Sequence, residues 1–272
     1  MENGKPYYNI YHHEKDVNYS VRVADSLFIL NTYNAKIWKE IFDSQLAADE
    51  KYIYSDLGML IMQKVVEEVS GTNLDSYMSE NFYVPMGLHR LLYNPTSKFP
   101  IDDIIPTEND TSFRRSLIQG YVHDPAAAML GGVAGNAGIF SDASSLAVIM
   151  QMLLNGGSYG GKQYLKKETI DLFTSRYYKD GTNRRGLVFD KPEVDKSKNG
   201  PTASSASPFT FGHTGFTGTC AWADPATDLV FVFLSNRVFP DANNNKLAQG
   251  NYRTDIMEAF YEIIRNNTSA AK

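Results

Sequence analysis

Two short strings in this 272-residue chain hold side chains that could do chemistry: Tyr54-Ser55-Asp56, and Gly212-His213-Thr214-Gly215-Phe216-Thr217-Gly218-Thr219. A tyrosine just ahead of a helix sits near the positive end of the backbone dipoles, which favours its phenolate, and a neighbouring ammonium would favour it further. A phenolate so placed can act as a general base. The same string also reads as a core aromatic at Tyr54 followed by a helix cap at Ser55 or Asp56. In the second string the glycines flanking His213-Thr214 let a substrate approach the strand, where main-chain N–H groups can bind a carbonyl oxygen. His213 can polarise or anchor a carboxylate, or be an incidental histidine at a glycine-rich strand entry.

Other candidates carry less. The Gly-x-Ser-x-Gly string Gly156-Gly157-Ser158-Tyr159-Gly160 lies just past the end of the helix expected from Asp142, not between a strand and a helix, so it makes no nucleophile elbow and a Ser-His-Asp hydrolase has no nucleophile to build on. The one serine followed three residues later by lysine is Ser269-Ala270-Ala271-Lys272, a coincidence at a terminus too frayed to hold a nucleophile against its base. His12-His13-Glu14 lacks the spacing of a zinc helix and reads as a solvated loop. His123-Asp124 reads as a loop pair with a structural role, or as a hydrogen-bonded pair beside the pocket. The glycine-rich bend from Gly131 to Gly138 has the wrong spacing for a phosphate loop and reads as a tight turn. The lone Cys220 excludes an internal disulfide and any multi-cysteine metal site, and its strand-like setting points to a buried thiol. No cofactor and no metal are expected.

The elements that must position these residues follow from periodicity. Asn34 to Phe42 has a helical signal, with Asn34 as cap and Ile37, Ile41 and Phe42 on one face. From Asp56, the residues Leu57, Leu60, Ile61, Val65 and Val66 recur at helical spacing up to a Ser70-Gly71 stop, predicting a buried helix. Further helices are predicted from Asn73 to Tyr83, from Asp142 with Leu146, Ile149, Met150, Leu153 and Leu154 inward, and from Lys167 to Thr174. Residues 88–125 read as loops and 191–208 as a polar loop. Strands are expected over Gly186 to Asp190, Phe216 to Ala223 and Asp228 to Asn236, the last two paired about Asp224-Pro225-Ala226-Thr227. Tyr252 to Ile264 predicts a closing helix with Ile256, Ala259, Phe260, Ile263 and Ile264 on its inner stripe. Together these give an α+β class, helices on one face of an antiparallel sheet.

Composition bounds the function. Hydrophobic residues make up 43% and charged residues 21% of the chain, as in ordinary globular proteins. The net charge of −5 and the absence of any basic run longer than a pair, such as Arg184-Arg185, argue against a nucleic-acid partner. Apolar runs such as Leu229 to Leu234 are too short to span a bilayer, and residues 1–30 lack the order of a signal peptide.

In order and context the two strings resemble the penicillin-recognising serine hydrolases: class C β-lactamases, D-alanyl-D-alanine peptidases and related esterases. That family uses a Ser-x-x-Lys helix, a Tyr-x-Asn string and a Lys/His-Thr-Gly strand. Tyr54-Ser55-Asp56 fits the second with Asp56 for asparagine, and His213-Thr214-Gly215 fits the third. Phe82 to Leu88, Gly138 to Ser141 and Leu234-Ser235-Asn236-Arg237 extend the likeness from Tyr54 to Ile264. Gln119 to Asp124, Arg185 to Pro192 and Gly212 to Thr219 look like the domain appended to bacterial family-3 glycoside hydrolases, the β-N-acetylglucosaminidases.

The resemblance implies a β-lactamase/transpeptidase-like fold over 1–272, mainly helical at 51–182 and with antiparallel strands and a last helix at 183–272. It implies an acyl-serine mechanism on a β-lactam, D-alanyl peptide or ester, with Tyr54 as base and Thr214 and His213 orienting the substrate. The oxyanion would be held by the main-chain N–H of the serine and of Phe216, after Gly215. Asp56 adds a negative charge that raises the cost of deprotonating Tyr54. No usable Ser-x-x-Lys precedes Tyr54, and the unpatterned opening reads as if Met1 fell inside a larger unit. The chain alone is therefore expected to be inactive, N-terminally truncated, and oligomeric through an exposed groove and strand edge. An upstream family-3 glycoside hydrolase domain and a periplasmic or cell-envelope location are implied by likeness. The rival expectation is a non-catalytic binding or structural module linked to a cell-wall glycosidase.

Overall fold

The computed structural model describes residues 9–46, 52–195 and 197–270; Met1 and the Ala271-Lys272 end of the C-terminal serine string lie outside these. The chain divides into two compact units, the first taking the chain up to Pro85 with His89–Phe140 and Phe239–Asp241, the second Met86–Leu88, Ser141–Val238 and the remainder from Ala242.

The first unit opens on an antiparallel sheet of β1 (Tyr11–His12), β2 (Val21–Ala24) and β3 (Leu27–Ile29), in the order β1-β3-β2. All three residues of β3 are buried, which makes it the middle of the unit's core. Helix α1 (Tyr33–Phe42) begins one residue earlier than expected, with Thr32 rather than Asn34 at its cap. Trp38 and Ile41 are its buried residues, while Phe42 faces outward.

Helix α2 (Leu57–Ser70) ends as predicted at Gly71, whose φ of 68° is left-handed. Its packing face is not the predicted stripe: Leu60 and Gln63 are buried, whereas Leu57, Ile61 and Val65 are exposed. The cause is polar. The Gln63 side chain donates to Val133 O (3.3 Å) and accepts from Gly135 N (3.2 Å), tying the glycine bend to this face. A Cβ at Gly135 would stand 2.0 Å from Met59 O, so only glycine permits the approach.

The predicted helix from Asn73 to Tyr83 forms as α3 (Leu74–Met78) running into one π-helical turn at Ser79–Tyr83. Residues read as loop contain β4 (Leu92–Tyr93), and a hairpin of β5 (Pro106–Asp110) with β6 (Ser116–Gln119). Its turn is organised by Asp110, which accepts the N–H groups of Ser112, Phe113 and Arg114 and the Arg114 side chain. Burial opposes the Asp110 charge, but these donors overcome it and hold the carboxyl well below the usual range. Helix α4 (Pro125–Met129) is capped by Asp124, and β7 (Ile139–Phe140) pairs with β4.

In the second unit α5 (Ala143–Leu154) starts as predicted, with Asp142 accepting from Ser145 N at 2.7 Å. A small hairpin of β8 (Ser158–Tyr159) and β9 (Lys162–Gln163) follows, then α6 (Lys167–Thr174) with its predicted bounds. The expected strand from Gly186 to Asp190 does not form: Gly186 N bonds Phe189 O within the segment, and only Asp190 bridges to Gly212. The sheet is β10 (Phe211–Thr214), β11 (Cys220–Asp224) and β12 (Leu229–Phe233), antiparallel in that order. Both hairpin strands are shorter than predicted: Phe216 to Thr219 belong to the turn between β10 and β11, and β12 stops at Phe233, short of Asn236.

After α7 (Lys246–Gln249), helix α8 (Tyr252–Ala270) buries Met257 and Tyr261 and leaves the predicted inner residues Ile256, Phe260 and Ile263 exposed. Polar anchors select this face. The Tyr261 hydroxyl donates to Asp224 (2.7 Å), and Glu258 accepts from Ser204 Oγ and Ser205 N, both at 3.0 Å.

Lys191 is buried, donating to the carbonyls of Thr210 (3.0 Å) and Phe209 (3.2 Å). Burial, and then the nearby Arg176 charge, push its ammonium down from 10.5 to about 8, with Asp224 opposing. The unfolded chain keeps that proton to higher pH than the folded one, so this residue's contribution to stability rises as pH climbs from about 8 towards 10.5. We expect the stability difference between wild type and Lys191→Met to shift towards wild type by up to about 3 kcal/mol across that window. Urea unfolding of both proteins at several pH values measures it, and a flat difference contradicts it.

Candidate active site

Tyr54 lies in the first unit, in the extended segment just before α2. It is 58% exposed, which rules out the core-aromatic reading. Helix capping here falls to Ser55, whose hydroxyl accepts from Leu57 N at 3.2 Å. Asp56 holds the N-cap position but makes no side-chain cap bond; its carbonyl accepts from Met59 N and Leu60 N.

His213, Thr214, Gly215 and Phe216 lie in the second unit. Thr214 ends β10 opposite Cys220, and His213 stands opposite Ala221. Both ring nitrogens of His213 are engaged. Nε2 receives a bond from Arg185 at 2.6 Å; an arginine only donates, so this nitrogen is an acceptor, and Nδ1 carries the hydrogen given to Thr214 O at 2.7 Å.

Arg185 is in turn paired with buried Asp190 (3.3 Å), which Arg184 clasps through two further bonds of 2.7 and 3.0 Å. Asp190 also exchanges main-chain hydrogen bonds with Gly212 at 2.8 and 3.1 Å. Asp190 and Arg185 thus connect the start of β10 to the imidazole at its end. In sequence Arg184-Arg185 showed only as a short basic pair, and nothing linked it to His213 across 28 residues.

The glycines do different work from that expected. A Cβ at Gly212 would meet Ala221 O at 2.0 Å and the Trp222 ring at 2.7 Å, so this glycine serves the approach of β10 to β11 and not of a substrate. Gly215 donates to Thr219 O (2.8 Å), and its carbonyl accepts from Gly218 N (3.1 Å), closing the turn.

The remaining candidates are structural. His123 bonds Glu108 at 2.6 Å rather than Asp124, which caps α4. Cys220 is buried, and burial pushes its thiol up. His12 bonds Glu14 O, and no group of three or more potential metal-ligating His, Cys, Asp or Glu occurs among the described residues. No helix among them is long and apolar enough to cross a membrane.

Antiparallel sheets with packed helices give the chain a β-lactamase/transpeptidase-like fold. The chain belongs to the beta-lactamase family, whose model matches residues 12–252. An Escherichia coli K12 protein named "Putative D-alanyl-D-alanine carboxypeptidase" is 36% identical over 217 residues, which cover 74% of this chain and 49% of the relative. A protein of the same name from Salmonella schwarzengrund is 34% identical over 221 residues, covering 77% and 50%. The chain thus spans about half the length of the curated relatives it matches. Among solved structures, a beta-lactamase from Mycobacterium bovis aligns at TM-score 0.52 and 21% identity over 79% of this chain and 65% of that one. A mutant of simvastatin synthase from Aspergillus terreus aligns at 0.54 and 18% over 88% and 62%. At these identities the two structures establish the fold alone.

Gly218 has φ 111°, and a Cβ there would stand 2.4 Å from Ser235 Oγ. Gly218→Ala should cost about 2 kcal/mol through the strained backbone and the displaced serine. Thermal or urea unfolding of the variant checks this; an unchanged midpoint would show that the turn tolerates a side chain.

Proposed function

We propose that this chain supplies the base and the third-strand motif of an acyl-serine hydrolase that cleaves a D-alanyl peptide or a simple ester. In this reading a serine attacks the carbonyl and its proton passes to Tyr54. The oxyanion is held by two main-chain N–H groups, one of them that of Phe216. Water then takes the acyl group from serine, and the proton returns through the same phenol. The Ser-x-x-Lys pair comes from sequence outside these 272 residues, since the one such string inside them is the C-terminal Ser269 to Lys272.

The observation that carries the proposal is the exposure of Tyr54 at the start of α2, in a chain that buries Tyr11, Tyr83 and Tyr261. Burial raises those three phenols, Tyr11 to about 12, which makes them poor bases near neutrality. His213 instead of lysine at the third motif, and the carboxypeptidase name shared by the relatives, favour a peptide or ester over a dedicated β-lactam substrate. The relatives' names also support a place in the cell envelope, and the strings from Gln119 to Asp124 and Arg185 to Pro192 support linkage to a family-3 glycoside hydrolase.

In the full-length protein, Tyr54→Phe should lower kcat for an acetyl ester or a D-alanyl dipeptide by about a hundredfold or more. Hydrolysis at the wild-type rate would exclude Tyr54 as the base and favour a non-catalytic binding module. The 272-residue chain by itself should take no label from a fluorescent penicillin, and an acyl-enzyme mapped to any of its serines would overturn the placement of the nucleophile elsewhere.

The chain alone should also self-associate, because the exposed apolar residues of α2 and α8 and the outer edge of β12 present surface that water solvates poorly. Light scattering at high protein concentration tests this; a monodisperse monomer would refute it.

A further inference from the structure

Beyond β12 the chain runs through Leu234-Ser235-Asn236-Arg237 and returns towards the turn that follows the His-Thr-Gly string. Ser235 Oγ donates to Gly218 O (2.9 Å), Arg237 N to Thr217 O (3.0 Å) and Arg237 Nε to Phe216 O (2.8 Å). The far end of the same guanidinium donates to the carbonyls of Ala242 (3.0 Å) and Asn244 (2.8 Å). Its centre lies 4.6 Å from the centroid of the Phe216 ring, a cation–π distance.

With these bonds every carbonyl from Thr214 to Thr219 has a donor. Thr214 O receives His213 Nδ1, Gly215 O receives Gly218 N, and Thr219 O receives both Gly215 N and Arg253. A peptide unit is planar, so pinning one carbonyl also aims the N–H of the next residue. The unit carrying Gly215 O and Phe216 N–H is held from within the turn, and the unit on the other side of Phe216 is held by Arg237. Without Arg237, rotation about the Phe216 backbone loses its outer restraint, and an exposed ring loses the cation stacked on it.

We infer that Arg237 is a positioning residue for acyl transfer: by pinning Phe216 O it blocks rotation of the backbone beyond Phe216, so that the Phe216 N–H, aimed through Gly215 O, keeps its direction and the oxyanion meets a donor already in place. This rests on the proposed role of that N–H and adds the group that steadies the backbone beside it. Preorganisation of this kind acts on the transition state more than on the bound substrate. Its loss therefore falls on kcat. Arginine suits the task because one planar group can donate along different edges to the turn and to the 242–244 segment at once, which an ammonium cannot do with the same geometry.

Two measurements test it together. In the full-length protein, Arg237→Met should lower kcat for an acetyl ester about tenfold to a hundredfold with KM changed less than about threefold, and Arg237→Lys should recover only a minor part. Ser235→Ala, which removes one bond from the same turn, should show the same pattern at smaller size, and stands in if Arg237→Met does not fold. In the 272-residue chain, amide hydrogen exchange at Gly215 and Gly218, whose N–H groups bond within the turn, should quicken at least about tenfold in Arg237→Met, with Ala221 and Trp222 in β11 unchanged. Unchanged exchange at the turn, or a rise in KM with kcat intact, overturns the inference. Quickened exchange together with a Tyr54→Phe enzyme of wild-type rate would sink the acyl-transfer reading and leave Arg237 as the residue that steadies this turn.

Discussion

Burying a carboxylate costs free energy unless cations and hydrogen-bond donors surround it, and the second unit organises its candidate site around that requirement at Asp190. Its side chain draws in Arg184 and Arg185, and its backbone pairs with Gly212, so the start of β10 and the partner of His213 share one anchor. The imidazole is oriented as a result, one nitrogen against Arg185 and the other against the next carbonyl. What distinguishes this site from a bare His-Thr-Gly string is therefore the charge behind it. The positive group beside the strand end is an arginine already engaged with Asp190, while the histidine acts as a link.

The same economy recurs where helices meet their neighbours. Apolar periodicity alone would place α2 and α8 with their richest stripes inward, yet both turn a different face to the core. Gln63 in α2, and Glu258 and Tyr261 in α8, have specific polar partners on elements distant in sequence, and satisfying those buried groups outweighs the extra apolar area of the other stripe. Sequence periodicity reports how much hydrophobic surface a helix has. It does not report where a partner for a buried amide or carboxylate stands.

That distinction explains what could be read in advance. Helix ends with local signals were legible: Gly71 after α2, Asp142 before α5, and the whole of α6. The motif residues Tyr54 and His213 to Phe216 were legible as types in order, and the α+β class with them. The hairpin of β5 and β6 was not, because Pro106 to Asp110 is a polar run without alternation whose turn depends on Asp110 capturing Arg114. Gly186 to Asp190 has strand-like composition, but its backbone groups are spent within the segment and against Phe173. Arg185 and Arg237 were missed as site residues for a common reason: each acts on a residue 20 or more positions away, through an interaction that leaves no local pattern.

Cys220 lies buried in the central strand of the second unit's sheet, directly across from Thr214, and it is the chain's single thiol. An alkylating reagent can reach its sulfur only when β11 parts from its surroundings, and the raised thiol slows the reaction further. The rate of modification is thus a clock for local opening at the strand that carries the candidate motif. It can be read without any label being introduced, and without the chain having to turn over a substrate.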